Sequence, residues 1–129
     1  NGTNQTIYGN TTFHNLTKIV TSTDTLYFEA GKTQTIANNL TLQGASGNLL
    51  SLRSTPDGQY WYLDPQGVRN ISYVDIKDMN NLNVVNIVTT NSVNSGNNSG
   101  VGFGGNECAC RENDLVLAKV IGNYWRQPC

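Results

Sequence analysis

Short triplets with the pattern apolar-polar-apolar recur between residues 25 and 93, separated by turns rich in Gly, Pro, Asn and Asp. In chain order they are Leu26-Tyr27-Phe28, Leu40-Thr41-Leu42, Leu50-Ser51-Leu52, Trp61-Tyr62-Leu63, Val74-Asp75-Ile76 and Val85-Asn86-Ile87. A period of two places the outer members of a triplet on one face of a strand and the middle residue on the other. Because successive triplets begin about ten to fourteen residues apart, three of them make a unit of about one solenoid coil. The pattern predicts an all-β fold, a short parallel β-helix of about three coils.

Stacking of these triplets defines a predicted core. Its members are Leu26, Leu40, Leu42, Leu50, Leu52, Trp61 or Tyr60, Leu63, Val74, Ile76, Val85 and Ile87. Burial of each large apolar side chain contributes about 1.5–3 kcal/mol before the loss of conformational entropy is subtracted. About three such coils are close to the smallest number that is stable alone.

The chain divides into three predicted segments. Residues 1–12 form an N-terminal arm or cap, residues 13–103 the β-solenoid, and residues 104–129 a C-terminal segment of strand-like composition that carries the cysteines. Residues 6–8 add a strand either to the open end of their own molecule or to a neighbouring copy. Residues 114–121 form either a last strand or a helix that Asp114 caps.

Several phrases carry a resemblance to a known kind of protein. They are Phe28-Glu29-Ala30-Gly31, Leu42-Gln43-Gly44, Leu50-Ser51-Leu52-Arg53-Ser54, Tyr73-Val74-Asp75-Ile76 and Ser95-Gly96-Asn97-Asn98. Their order and spacing are similar to the right-handed β-helix segments of large bacterial cell-surface and adhesin-like proteins, over roughly residues 13–103. The resemblance implies a right-handed solenoid with the role of a spacer, an adhesin or a surface-layer part. It implies no catalytic residues.

Composition narrows the function and the location. Only 13% of the 129 residues are charged and the formal net charge is -1, which argues against nucleic acid as a partner. No apolar run is long enough to cross a bilayer, so we expect no membrane-spanning segment. A polar surface of Asn, Thr, Ser and Gly is typical of secreted β-proteins. We therefore expect an extracellular or cell-surface protein from which a signal peptide has been removed.

The cysteines are Cys108, Cys110 and Cys129, an odd number. A disulfide between Cys129 and either of the other two closes a loop of about twenty residues, which stabilises by about 3 kcal/mol in the chain-entropy model. One thiol is then left free or paired between chains. Structural zinc normally has four ligands, and the sequence offers only these thiols and a remote His14, so we expect neither a metal site nor a cofactor.

Sequons for N-glycosylation occur at Asn1, Asn4, Asn10, Asn15, Asn39, Asn70 and Asn97. A chain this rich in Asn and Thr yields roughly three by chance, so the excess is compatible with a glycoprotein. The alternative is that these asparagines are ordinary polar residues of turns and strands.

Many β-helices are polysaccharide lyases or hydrolases, which need clustered carboxylates and basic residues along a groove. The candidates for such a cluster are Asp57, Asp64, Asp75, Asp78, Arg53, Arg69 and Lys77. Solenoid geometry can bring Arg53 and Asp75 onto one face. The turns are short and leave little room for a cleft. We therefore interpret these charges as solvated residues of turns and faces, and predict that the protein is not an enzyme.

A stackable solenoid with an extendable arm and a distinct tail is suited to assembly. We predict a secreted structural or adhesive cell-surface protein that self-associates as the subunit of an extracellular filament or surface assembly. Its partners are then copies of itself, joined end to end or by strand donation from the arm or the tail. The alternatives are a carbohydrate-binding or spacer module of a larger surface protein, with surface polysaccharide as partner, and, less favoured, a polysaccharide-active enzyme.

Overall fold

The computed structural model describes residues 4–104, and this part of the chain is all-β, with fourteen short strands and no helix. The strands are β1 (Gln5–Ile7), β2 (Thr11–Phe13), β3 (Leu16–Ile19), β4 (Asp24–Glu29), β5 (Thr33–Ile36), β6 (Asn39–Gln43), β7 (Leu50–Thr55), β8 (Trp61–Pro65), β9 (Val68–Ser72), β10 (Val74–Ile76), β11 (Met79–Asn81), β12 (Ile87–Thr90), β13 (Val93–Asn94) and β14 (Val101–Gly104). The predicted all-β class is confirmed.

The strands form three parallel sheets. The first sheet has the order β1-β4-β7-β10-β13, the second β11-β8-β5-β2, and the third β14-β12-β9-β6-β3. Up to β12 the chain visits the three sheets in turn, and we call each such passage a coil. The last passage within residues 4–104 runs from β13 in the first sheet to β14 in the third, with a single bridge from Ser99 to Asn80 of the second sheet. This winding is consistent with a parallel β-helix, in which every coil contacts only the coil before it and the coil after it.

Parallel register stacks equivalent residues above one another. Leu26 of β4 lies opposite Leu52 of β7, and Leu52 lies opposite Ile76 of β10. Because side chains alternate along each strand, this column points inward while its sequence neighbours point outward. The burial of β4, β7 and β8 alternates accordingly, with every second residue buried.

An apolar column fills the interior. Its buried members are Val20, Leu26, Phe28, Ile36, Leu40, Leu42, Leu50, Leu52, Trp61, Leu63, Ile71, Val74, Ile76, Met79 and Ile87. The rings of Phe28 and Trp61 stack with their centroids 3.8 Å apart and their planes within 4°. Trp61 Nε1 donates a hydrogen bond of 3.0 Å to the Lys77 carbonyl, so its polar edge is satisfied as well.

The prediction that Val85 belongs to the core is wrong. Val85 is 59% exposed, although the Ile87 of the same triplet is fully buried. Val85 precedes β12 and lies in a loop, where its carbonyl accepts hydrogen bonds from Asn81 Nδ2 and Arg69 Nη1. These bonds hold the backbone in a non-strand path, so the alternation that places Ile87 inward does not extend back to Val85. Of the two aromatic residues predicted as alternatives for the core, Trp61 is buried and Tyr60 is not.

The triplets do not mark every strand. In β5 the inward positions are Gln34 and Ile36, and Gln34 is fully buried with its Nε2 donating to the Gly9 carbonyl at 2.7 Å. A search for apolar pairs passes over a strand with a polar inward residue. Leu50 begins the third triplet, and it lies in the same sheet as Leu26, which belongs to the first triplet. One coil therefore spans two triplets, and the predicted coil of three triplets is too long.

Left-handed residues turn the chain at two corners. Tyr73 and Asn91, with φ of 52° each, lie between the third and first sheets in successive coils. Asp78 and Asn97, with φ of 63° and 57°, occupy the corner between the first and second sheets. A single residue in this conformation turns the backbone sharply, and Asn and Asp adopt it more readily than other non-glycine residues.

The ends of the described region bear on two predicted segments. In the segment predicted as arm or cap, Gln5–Ile7 pairs with β4 of the same molecule and Thr11–Phe13 with β5. At the other end, Gly104 closes β14, which pairs with β12. The rest of the predicted C-terminal segment, including all three cysteines and the strand-or-helix alternative for residues 114–121, lies outside the described residues.

Candidate functional site

Arg53 and Asp75 meet on the outer surface of the first sheet, as solenoid geometry allowed. Arg53 Nη2 lies 3.1 Å from Asp75 Oδ2, and both side chains are 22% exposed. Arg53 Nη1 also donates to the Asp75 carbonyl at 2.6 Å, and the Ser95 hydroxyl donates to Asp75 Oδ1. Arg53, Asp75 and Ser95 thus connect three successive coils, which is a structural arrangement for both charges.

A second cluster surrounds Asp78, which is fully buried at a corner. Its Oδ2 accepts hydrogen bonds from the Gly58 amide at 2.9 Å and from Lys77 Nζ at 3.0 Å, and its Oδ1 accepts from Asn97 Nδ2 at 2.8 Å. Lys77 Nζ also lies 2.9 Å from the exposed Asp57. Asp78 therefore joins the loop of one coil to the corner of the next, and is not the solvated turn residue that the sequence indicated.

The electrostatics of this cluster follow from its contacts. Burial acts to raise the pKa of Asp78, but the hydrogen bonds from Asn97, Lys77 and Gly58 outweigh it, so the pKa lies below its ordinary value. The hydrogen bonds to Asp57 and Asp78 raise the pKa of Lys77. Both groups are therefore held in their charged forms at neutral pH, which is the opposite of a carboxylic acid tuned to give up a proton near pH 7.

The remaining charged candidates, Asp64 and Arg69, also form hydrogen bonds within the stack. Asp64 accepts hydrogen bonds from Asn83 Nδ2 at 3.2 Å and Gln66 Nε2 at 3.3 Å. Arg69 donates to the carbonyls of Pro65, Val85 and Asn86 at 2.7–3.1 Å. Each of the seven charged candidates thus holds backbone or a neighbouring side chain. Across residues 4–104, no three His, Cys, Asp or Glu side chains gather as metal ligands would.

Three sequon asparagines of the first coil have a structural role. The side-chain carbonyls of Asn4, Asn10 and Asn15 accept hydrogen bonds from the amides of Thr25, Thr33 and Asn39 at 3.2, 2.8 and 3.0 Å. Each asparagine immediately precedes a strand and extends the pairing with the next coil into the corner. Their abundance therefore has a physical reason that does not involve sugar.

The other sequons differ in how accessible they are. Asn39 and Asn70 are exposed on the third sheet, each followed by a buried residue and then by an outward Thr or Ser. Strand alternation with Asn and Thr on the outer face produces this Asn-x-Ser/Thr spacing by itself. Asn97 uses its Nδ2, the atom that a glycan would occupy, to bind Asp78. Asn1 lies outside the described residues, and glycosylation remains a prediction for the exposed sites.

Among residues 4–104, no strand covers the N-terminal end of the solenoid. β1, β2 and β3 are the terminal strands of their sheets, all at this end. They surround a depression of about 360 Å³ that is lined by Gln5, Thr6, Ile7, Phe13, Leu16, Thr17, Lys18 and Leu26. Lys18 is buried in its wall, 3.0 Å from Asp24 and 2.8 Å from Gln5 Oε1. In the part of the chain that the structure describes, this end thus presents three strand edges without a further strand beside them, around a partly apolar surface with one internal ion pair.

Aliphatic side chains also protrude where the sequence predicted none. We call this surface the apolar ridge, which consists of Val68, Leu82, Val84, Val85 and Val88, exposed between 50% and 97%. Sequence reasoning missed it because Val85 was assigned to the core. The signal was present, since Leu82-Asn83-Val84-Val85 fails the alternation that the true strands obey.

His14 is exposed in the turn between β2 and β3, and its carbonyl accepts a hydrogen bond from the Asn38 amide.

No protein-family model, curated protein or solved structure matches this chain. Residues 4–104 contain no helix that is long and apolar enough to span a membrane.

Proposed function

We propose that this chain is a right-handed parallel β-helix that acts as a secreted structural or adhesive component of a cell surface and associates with copies of itself. The observation that carries the proposal is the N-terminal end, which no strand of residues 4–104 covers and where three strand edges surround a partly apolar depression. Unpaired edges of this kind are templates for further strands. A solenoid end is completed either by a cap or by another coil.

The charged side chains support a structural role over catalysis. The charged side chains that were candidates for a hydrolytic cluster form ion pairs and hydrogen bonds to backbone within the stack. A catalytic acid or base has to exchange protons with a substrate, and a carboxylate that accepts three internal hydrogen bonds is poorly placed to do so. These charged side chains therefore contribute to holding successive coils together.

Association at the N-terminal end has a limited strength. The depression offers Ile7, Phe13 and Leu16, each partly buried against the core, and a second copy would bury them further. Lys18 points inward from β3, and an inward charge on an edge strand limits indiscriminate pairing. We therefore expect association that depends on concentration and on register, as an ordered assembly requires.

Sedimentation velocity of the full chain over a wide concentration range tests the proposal, with electron microscopy of the largest species. Ile7→Asp places a charge in the depression and should abolish assembly. Tyr8→Asp is the matched control, because Tyr8 is 71% exposed and does not line the depression. Thr6→Lys, an outward change at the same rim, tests the surface without altering the core.

Circular dichroism establishes that each variant remains folded. Assembly that survives both Ile7→Asp and Thr6→Lys would place the contact elsewhere. A wild-type chain that stays monomeric at every concentration would overturn self-association and favour the spacer or carbohydrate-binding module of a larger surface protein.

A further inference from the structure

The apolar ridge is too exposed to be ordinary surface. Val84 is 97% exposed, Val88 68%, and Leu82 and Val85 at least half. Single exposed aliphatic residues are common, whereas three of them between residues 82 and 85, with two more on the adjoining strands β9 and β12, mark a surface that something covers. The ridge also lies far from the N-terminal end, so the self-association proposed above does not account for it.

The loop that carries the ridge is held firmly. Asn81 Nδ2 donates to the carbonyls of Val85 and Gly100, and Asn81 Oδ1 accepts from the Asn83 amide, all within 3.0 Å. Asn83 in turn accepts from the Val85 amide and donates to Asp64. A loop held by these hydrogen bonds presents its aliphatic side chains in a restricted arrangement, so less entropy is lost when a partner binds.

Val68 and Val88 extend the ridge along the third sheet. Val68 precedes Arg69, whose guanidinium binds the carbonyls of Val85 and Asn86. Val88 lies opposite Gly102 of β14, and the next outward position of that strand is Gly104. Because these two positions carry no side chain, nothing on β14 shields Val88, and another chain can approach the backbone closely.

The described chain ends beside the ridge. Gly104 lies opposite Thr90, two residues after Val88. Beyond it, residues 105–114 supply up to about 33 Å of chain if extended, ample for the chain to reverse direction. They lead to residues 115–121, Leu-Val-Leu-Ala-Lys-Val-Ile, the most apolar run outside the described residues. A tethered segment of this kind meets the ridge at a high effective concentration.

We propose that residues 115–121 pack on the apolar ridge of their own chain. Their aliphatic side chains match the ridge in character, and the short tether favours the same molecule over a second copy. The ridge is then an intramolecular docking surface for the tail.

Hydrogen exchange of the full-length chain tests the proposal, read by mass spectrometry on peptides that cover residues 115–121 at a concentration where sedimentation shows only monomer. The amides of this run should exchange slowly, and Val84→Asp should accelerate their exchange about tenfold by raising the undocked population. Leu117→Asp should do the same, and the double variant should add little, as expected for two residues in one contact. Tyr8→Asp should leave the exchange unchanged.

Exchange in the wild type as fast as in an unstructured peptide would overturn the proposal. So would slow exchange that Val84→Asp does not alter, or protection that appears only at higher concentrations where sedimentation shows oligomers, which would assign the occupant to a second copy. Binding of the full chain to phospholipid vesicles that Val84→Asp abolishes, with tail exchange unchanged, would assign the ridge to a lipid surface and also overturn it.

Discussion

Residues 24–76 and residues 77–104 are held together by different kinds of contact. The first region buries apolar side chains in a continuous column, with the Phe28 and Trp61 rings stacked at its centre. In the described part of the second region the buried apolar side chains are Met79 and Ile87, and a larger number of polar ones, Asp78, Asn81, Thr89 and Ser92, are buried and bond to neighbouring backbone or side chains. Both regions have the same parallel pairing, so pairing alone does not require an apolar interior.

Coil length differs between the two regions in the same direction. Leu26 and Leu52, which lie opposite each other, are 26 residues apart, whereas Thr90 and Gly104 are only 14 apart. A shorter coil encloses a smaller interior, which has room for fewer large side chains. Short polar side chains that bond directly to backbone then satisfy groups that would otherwise be buried without partners. A solenoid can therefore taper by exchanging apolar packing for side-chain-to-backbone hydrogen bonds.

The largest expected effect is in the first region. Trp61→Ala removes the ring that stacks on Phe28 and should lower the free energy of unfolding by about 3–5 kcal/mol. Urea denaturation followed by circular dichroism measures the change. Tyr62→Ala, at the outward neighbouring position, should cost far less, and equal losses for the two variants would contradict the packing described for β8.

Removal of the buried carboxylate tests the second region. Asp78→Ala leaves the Gly58 amide and Asn97 Nδ2 without an acceptor, and should cost about 2–3 kcal/mol in the same assay. Asp57→Ala is the matched control, because it removes only the exposed partner of Lys77 and should change stability little. A loss at Asp57 as large as that at Asp78 would show that the surface ion pair, and not the buried hydrogen bonds, holds this corner.

The smallest effect is the pH dependence of the same corner. The pKa of Asp78 is lower in the folded state than its ordinary value, so its contribution is complete above the ordinary range of about pH 4 and is lost as the pH falls through the lowered pKa. Urea midpoints between pH 7 and pH 2 should therefore fall less steeply for Asp78→Asn than for the wild type. Parallel curves would mean that other carboxylates account for the acid sensitivity.

Several features of this fold could be predicted because they depend on local alternation. The triplets of β4, β6, β7, β8 and β10 identified strands and their inward residues, since a period of two sets which face each side chain occupies. The contact between Arg53 and Asp75 followed from stacking alone. Handedness, glycosylation, disulfide pairing and self-association remain predictions.

Tertiary structure decided what alternation cannot encode. Gln34 lies inward in a strand without a triplet, because the Gly9 carbonyl of the adjacent coil gives it a partner. Asp78 is buried for the same reason, and the sequence alone placed it in solvent. Val85 belongs to an apolar triplet and yet is exposed, since Asn81 and Arg69 hold its carbonyl in a loop. By itself the sequence determined the strand class and most of the apolar column. The position of these three residues depends on partners from other coils, which come together only when the chain is wound.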